Sequence, residues 1–103
     1  MKTPNRLLAL AALALLNGSV AAAQDPELAR NLAANCANCH GTSGKAVPNA
    51  GMEPIAGEAK EKLVKRFKEY RSGIRPATVM HQIAKGYSDE QIELIAGYFA
   101  AQK

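Results

Sequence analysis

The chain has 103 residues, 48% apolar, with a formal net charge of +4, five aromatic residues and no Trp. That length sets an expectation of one domain, and so mild a charge with so few aromatics excludes a nucleic-acid binder. Two cysteines allow at most one disulfide, so a disulfide-built scaffold is excluded as well.

The front of the chain stands apart. Lys2 and Arg6 precede ten unbroken Leu and Ala residues, Leu7 to Leu16, then a break at Asn17-Gly18-Ser19 and the small residues Ala21-Ala22-Ala23. A basic start, a short apolar run and an A-x-A ending predict a secretory signal peptide over residues 1–23, cleaved after Ala23. A membrane span needs about 20 apolar residues, and an amphipathic helix needs a polar face that this run lacks. The expected mature domain is residues 24–103, with no membrane span and, once Lys2 and Arg6 are gone, a net charge of +2. It holds 19 large apolar residues besides Ala and Cys. A core that small usually needs a staple or a bound group at its centre.

Four helices are predicted, and nothing alternates like a strand. The first opens at Asp25-Pro26-Glu27, with Asp25 as cap, and continues to Gly41; Leu28, Leu32, Cys36 and Cys39 share one side. Residues 41–57 are punctuated by Gly41, Gly44, Pro48, Gly51, Pro54 and Gly57 and read as one long ordered loop, a length usually tied to function. The second helix spans about Ala59 to Arg71, with Leu63, Phe67, Tyr70 and Ile74 as its apolar stripe. Lys60, Lys62, Lys65, Arg66, Lys68 and Arg71 form a solvated basic face, and Gly73 is the stop. A third, short helix covers about Ala77 to Lys85. The last starts at Ser88 in a capping box with Gln91 and buries Ile92, Ile95, Ala96 and Phe99. The fold class is all-α.

Cys36-Ala37-Asn38-Cys39-His40 reads C-x-x-C-H, the attachment signal for c-type haem. Two thiols three residues apart on a helical turn point the same way and can add to two vinyl groups of one porphyrin, with the next imidazole placed to bind iron. Such attachment occurs outside the cytoplasm, so the leader and the motif agree. Two rivals use the same residues. One is a dithiol redox centre, which needs a preceding strand; the other is a zinc site built from Cys36, Cys39, His40 and His81.

A sixth iron ligand must come from further along. Met52 lies only 12 residues past His40, while Met80 is 40 residues on, enough for the chain to reach the other haem face. Val79, Met80, Ile83 and Ala84 form the apolar side of the third helix; Thr78, His81, Gln82 and Lys85 form the polar one. Met80 is therefore the expected distal ligand, and His81, expected to face water, is its competitor.

Several segments resemble a known family. Thr78 to Glu90, together with Cys39-His40-Gly41-Thr42, Pro54-Ile55-Ala56-Gly57 and Ile95-Ala96-Gly97-Tyr98-Phe99, are similar to the small class I cytochromes c. Within that group they resemble the c-553-like, monohaem cytochrome subunit of flavocytochrome c sulfide dehydrogenase. The resemblance implies about four helices and a long loop wrapped around one covalently attached haem c. Cys36 and Cys39 would form the thioethers, His40 the proximal and Met80 the distal axial ligand, and the Pro48 carbonyl would hold the other nitrogen of His40. It further implies a periplasmic electron-transfer subunit with no catalytic site of its own, taking single electrons from an FAD-containing partner subunit and passing them to a soluble acceptor. A free c-553-type carrier would share every haem residue. An expected pocket of Leu32, Ile55, Leu63, Phe67, Ile83, Ile95 and Phe99 would keep the haem dry.

Overall fold

Pro26 and Glu27 open α1 (Pro26–Ala34), where a proline forfeits no hydrogen bond and an acid meets the positive end of the helix dipole. The computed structural model describes residues 26–103; the expected leader over 1–23 and the cap at Asp25 lie outside them. The helix expected to continue to Gly41 is interrupted. The Cys36 N–H donates to the Ala33 carbonyl (3.0 Å), a tightening to the three-residue step, and the chain turns at Asn35–Cys36 before α2 (Ala37–His40). Asn35 is a physical reason for the break, since its side chain competes for the backbone groups a helix needs. The described residues thus hold five α-helices where four were expected, because the first is split in two.

Gly41 ends α2 at φ 79° and leads into a single 3-10 turn, Thr42–Gly44. Gly44 is the pin of the long loop. It is buried at φ 75°, and a Cβ there would lie 2.7 Å from Phe99 Cδ1 and 2.9 Å from Ile55 Cγ1. Its carbonyl accepts from the N–H groups of Ile55 (2.9 Å) and Ala56 (3.1 Å), and the Gly57 N–H then donates to the Phe99 carbonyl (2.9 Å). The loop is thereby fastened to the end of the last helix.

The second predicted helix is α3 (Lys60–Ser72), and Gly73 stops it in the left-handed conformation, φ 82°, as its sequence position indicates. That stop removes Ile74 from the apolar stripe: it is 78% exposed, because the residue beyond a left-handed turn no longer follows the helix period. The third helix is shorter than expected. α4 (Met80–Ala84) starts only at Met80, since Val79 at φ −139° is not helical. The last helix, α5 (Asp89–Ala100), starts as predicted: the Gln91 N–H donates to Ser88 Oγ (3.2 Å), and Gln91 Oε1 accepts from the Ser88 N–H (2.9 Å).

The buried stripe of α5 is the predicted one, Ile92, Ile95, Ala96 and Phe99, each 3% exposed or less. α5 packs against α1 and α3, and α4 packs on α3. Ala33, Leu63, Ile95, Ala96 and Phe99 form the central cluster, with Leu32 and Phe67 at its edge. Arg71 ties the end of α3 to the start of α5, donating to the Tyr87 carbonyl (3.2 Å) and pairing with Asp89. No described residue is in a strand, and no described helix is long and apolar enough to cross a membrane.

Candidate functional site

Cys36 immediately precedes α2, and Cys39 and His40 are its last two residues, so two thiols and an imidazole emerge within little more than one turn. All three line one cavity of about 430 Å³, within the range of about 300–1,000 Å³ usual for cofactor sites. α4 contributes Met80 and Ile83 to its wall, with Val79 just ahead of it, α3 contributes Leu63 and Phe67, and α5 contributes Ile95, Ala96 and Phe99. Ile55 and Met52 come from the loop.

The four expected site residues, Cys36, Cys39, His40 and Met80, therefore meet at a single cavity, although Met80 is 40 residues from His40 in sequence. Of the expected pocket residues only Leu32 is not on the wall; it packs against the core cluster instead. His81 does not line the cavity. Its ring is half-buried rather than turned to water, and its Nδ1 is shielded without a hydrogen-bond partner. Among the wall residues that sequence reading does not place there are Arg66, which it puts on the basic face of the helix, and Tyr70, which it puts in the core stripe. The signal was present, since 63, 66, 67 and 70 are spaced three, one and three and share one side of a helix.

Burial holds the Cys36 thiol above its ordinary range, and the charge of Cys39 adds to the effect. Burial also pushes His40 down, which favours the neutral imidazole, the form that binds metals. A reactive dithiol needs the opposite shift at its cysteine. Nor do three His, Cys, Asp or Glu side chains converge on a metal position among the described residues, so the zinc reading lacks its ligand cluster. Nδ1 of His40 is shielded and without a hydrogen-bond partner, so the Pro48 carbonyl does not hold it in this structure. What the cavity offers is an apolar enclosure with two thiols, one imidazole and one thioether. That donor set fits an iron porphyrin attached through sulfur and suits neither hydrolysis nor hard cations.

Comparison with known proteins bears on the same residues. The family model described as cytochrome c matches residues 27–103. The cytochrome subunit of sulfide dehydrogenase from Chlorobaculum tepidum is 40% identical over 68 residues, covering 66% of this chain and 60% of that protein. Cytochrome c4 from Pseudomonas aeruginosa is 34% identical over 100 residues, 96% of this chain and 49% of its own length. A protein of Stutzerimonas stutzeri named as thiosulfate dehydrogenase electron acceptor is 35% identical over 68 residues, 63% of this chain and 31% of its own. The chain thus spans well under two thirds of the length of these relatives. A match that begins at Glu27 and runs to Lys103 takes in every helix described above but for the first residue of α1, and the whole cavity wall, and it places the chain in the cytochrome c family of haem-bearing electron carriers.

Proposed function

We propose that residues 24–103, freed of a leader over 1–23 and exported to the periplasm, carry one covalent haem c and act as the cytochrome subunit of a sulfide dehydrogenase. In this reading the protein accepts single electrons from an FAD-containing partner subunit and delivers them to a soluble acceptor. The observation that carries the haem assignment is the convergence of Cys36, Cys39, His40 and Met80 on one apolar cavity. The partner assignment is supported by likeness to the sulfide dehydrogenase subunit and to the thiosulfate dehydrogenase acceptor.

When bound, haem supplies the one-electron chemistry. Cys36 and Cys39 would hold it through thioethers, and His40 and Met80 would fill both axial positions. Leu63, Phe67, Ile83, Ile95 and Phe99 exclude water from the wall. A dry, His/Met-ligated site favours ferrous iron and a high potential. With His40 and Met80 both bound to iron, no coordination site would be left for oxygen or peroxide.

Spectroscopy tests the ligand set. Met80→Ala should abolish the sulfur-to-iron charge-transfer band of the ferric protein, while His81→Ala should retain it; the reverse result would assign His81. The partner is tested on protein from its native source. Flavin and haem c co-eluting through two columns in fixed ratio, with haem reduced on adding sulfide, is the expected result. Haem c alone, reducible only by mediators, would mean a free c-553-type carrier.

A further inference from the structure

The chain between α3 and α5 is fastened to the last turns of α3 by two arginines. At its rear, Arg71 donates to the Tyr87 carbonyl (3.2 Å), the Tyr87 ring stands edge-on to Phe67 at 5.6 Å, and Ala84 is fully buried. At its front the support is a single residue. Of the described residues from Ile74 to Thr78, Arg75 alone makes a hydrogen bond or ion pair, and Ile74, Pro76 and Thr78 are exposed. The Arg75 N–H donates to the Glu69 carbonyl (3.2 Å), and its Nε (2.9 Å) and Nη2 (2.8 Å) both reach Glu69 Oε2. Its guanidinium also lies over the Tyr70 ring, 5.7 Å from the centroid, and Tyr70 is on the cavity wall. Glu69 breaks a local rule, being an acid in the last turn of α3, where the helix dipole disfavours negative charge; Arg75 supplies the compensation. Pro76 turns Arg75 away from helical geometry and stiffens the step after it, so a grip on Arg75 steers the residues that lead to Met80.

We infer that Arg75 is a positioning residue for Met80: by gripping Glu69 and covering Tyr70, it fixes the front of the segment that brings the thioether to the cavity. The inference rests on the haem reading of the preceding subsection, in which Met80 binds iron. The grip is partly open to water, with 40% of the Arg75 side chain and 22% of the Glu69 side chain exposed, so it adds little to the stability of the whole domain. Its weight is local. When the front lets go, Ala84 and Arg71 keep the rear docked, and only the start of α4, with Met80 as its first residue, leaves the wall. Arg75 thus acts on how firmly the sulfur is held rather than on whether the chain folds.

The experiment follows two signals in the haem-loaded ferric protein as temperature rises: the sulfur-to-iron charge-transfer band for Met80, and helical circular dichroism for the fold. Wild type is compared with Arg75→Gln, Arg75→Lys, Glu69→Gln and the double variant Glu69→Gln/Arg75→Gln. Arg75→Gln should lose the band at a lower temperature while its helical midpoint stays in place. At a given temperature the detached fraction should rise about two- to fivefold, the range expected of a partly exposed ion pair. Arg75→Lys should recover part of the loss, since an ammonium restores the charge but not the flat cover over Tyr70. Glu69→Gln should resemble Arg75→Gln, and the double variant should be no worse than either alone. Added salt should bring the wild-type band toward that of Arg75→Gln and leave the variant where it is. Band and helix midpoints that fall together in Arg75→Gln would overturn the inference. So would a band as persistent in that variant as in wild type, and either result leaves the proposed function standing. Wild-type protein that carries haem but lacks the band would overturn the assignment of Met80 in the proposed function and this inference with it.

Discussion

α5 and α4 both present an apolar stripe, but only α5 buries its stripe against other helices. α5 has 12 residues, a reciprocal capping box and four stripe residues at 3% exposure or less. α4 has five residues, no side-chain cap and an apolar side that faces the cavity, with Ile83 38% exposed and Val79, just ahead of the helix, 49% exposed. A helix of five residues cannot persist on its own hydrogen bonds, so α4 depends on its packing against α3. The part of the molecule that carries Met80 thus has little local support, while α5 is held by its own cap and by a fully buried stripe.

The contrast can be broken at its root by removing the attachment point. Cys36→Ala/Cys39→Ala protein should lose most of its helical circular dichroism, because 19 large apolar residues make a small core for a domain arranged around a cavity. Retention of the full helical signal and a cooperative melt would show that the helices stand without the cofactor. Next in size, Phe99→Ala in the haem-loaded protein should cost about 3–5 kcal/mol in denaturant unfolding, since the ring packs against Gly44 and lies in the central cluster. Ile83→Ala, already partly exposed, should cost about 1 kcal/mol. Equal losses would erase the distinction between the two helices.

A smaller effect separates their starts. Ser88→Ala removes the cap of α5 and should cost about 1 kcal/mol, read as a shift of the unfolding midpoint without a change of slope. The smallest concerns the acid limb. The hydrogen bond and charge of Arg71, followed by the charge of Lys68, hold Asp89 below the usual carboxylate range. A carboxylate lowered in the folded state contributes stability above its unfolded pKa of about 3.9, and that contribution is lost as pH falls through the folded value. Asp89→Asn should therefore flatten the loss of stability below about pH 4. Because Asp89 is exposed, raising the salt concentration should shrink the difference.

Whatever depends on local chemistry was legible in the sequence. The Ser88–Gln91 box, the left-handed stop at Gly73 and the α5 stripe all come from residues within one or two turns of each other. The C-x-x-C-H cysteines and histidine lie at the cavity for the same reason. What escaped depends on tertiary position. The break at Asn35–Cys36 divides a run whose apolar spacing is continuous, and the late start of α4 follows from the non-helical backbone at Val79. Arg66 was hidden by its company, since five neighbouring cations on the same helix suggested solvent, and only its place one turn from Leu63 and Tyr70 turns it toward the cavity.

The clasp between the Gly57 N–H and the Phe99 carbonyl also sets an order of events. The loop that follows the cysteines is pinned by a residue near the far end of the chain, and α1 meets α5 across nearly the whole described length. Closing so long a loop carries a larger entropy cost than closing any of the local turns. As the chain emerges from N- to C-terminus, Cys36 and Cys39 appear some 60 residues before Phe99, and until that residue arrives nothing can seal the wall over them. The topology thereby reserves an interval in which the thiols are open to modification, and it ends that interval by docking the final helix.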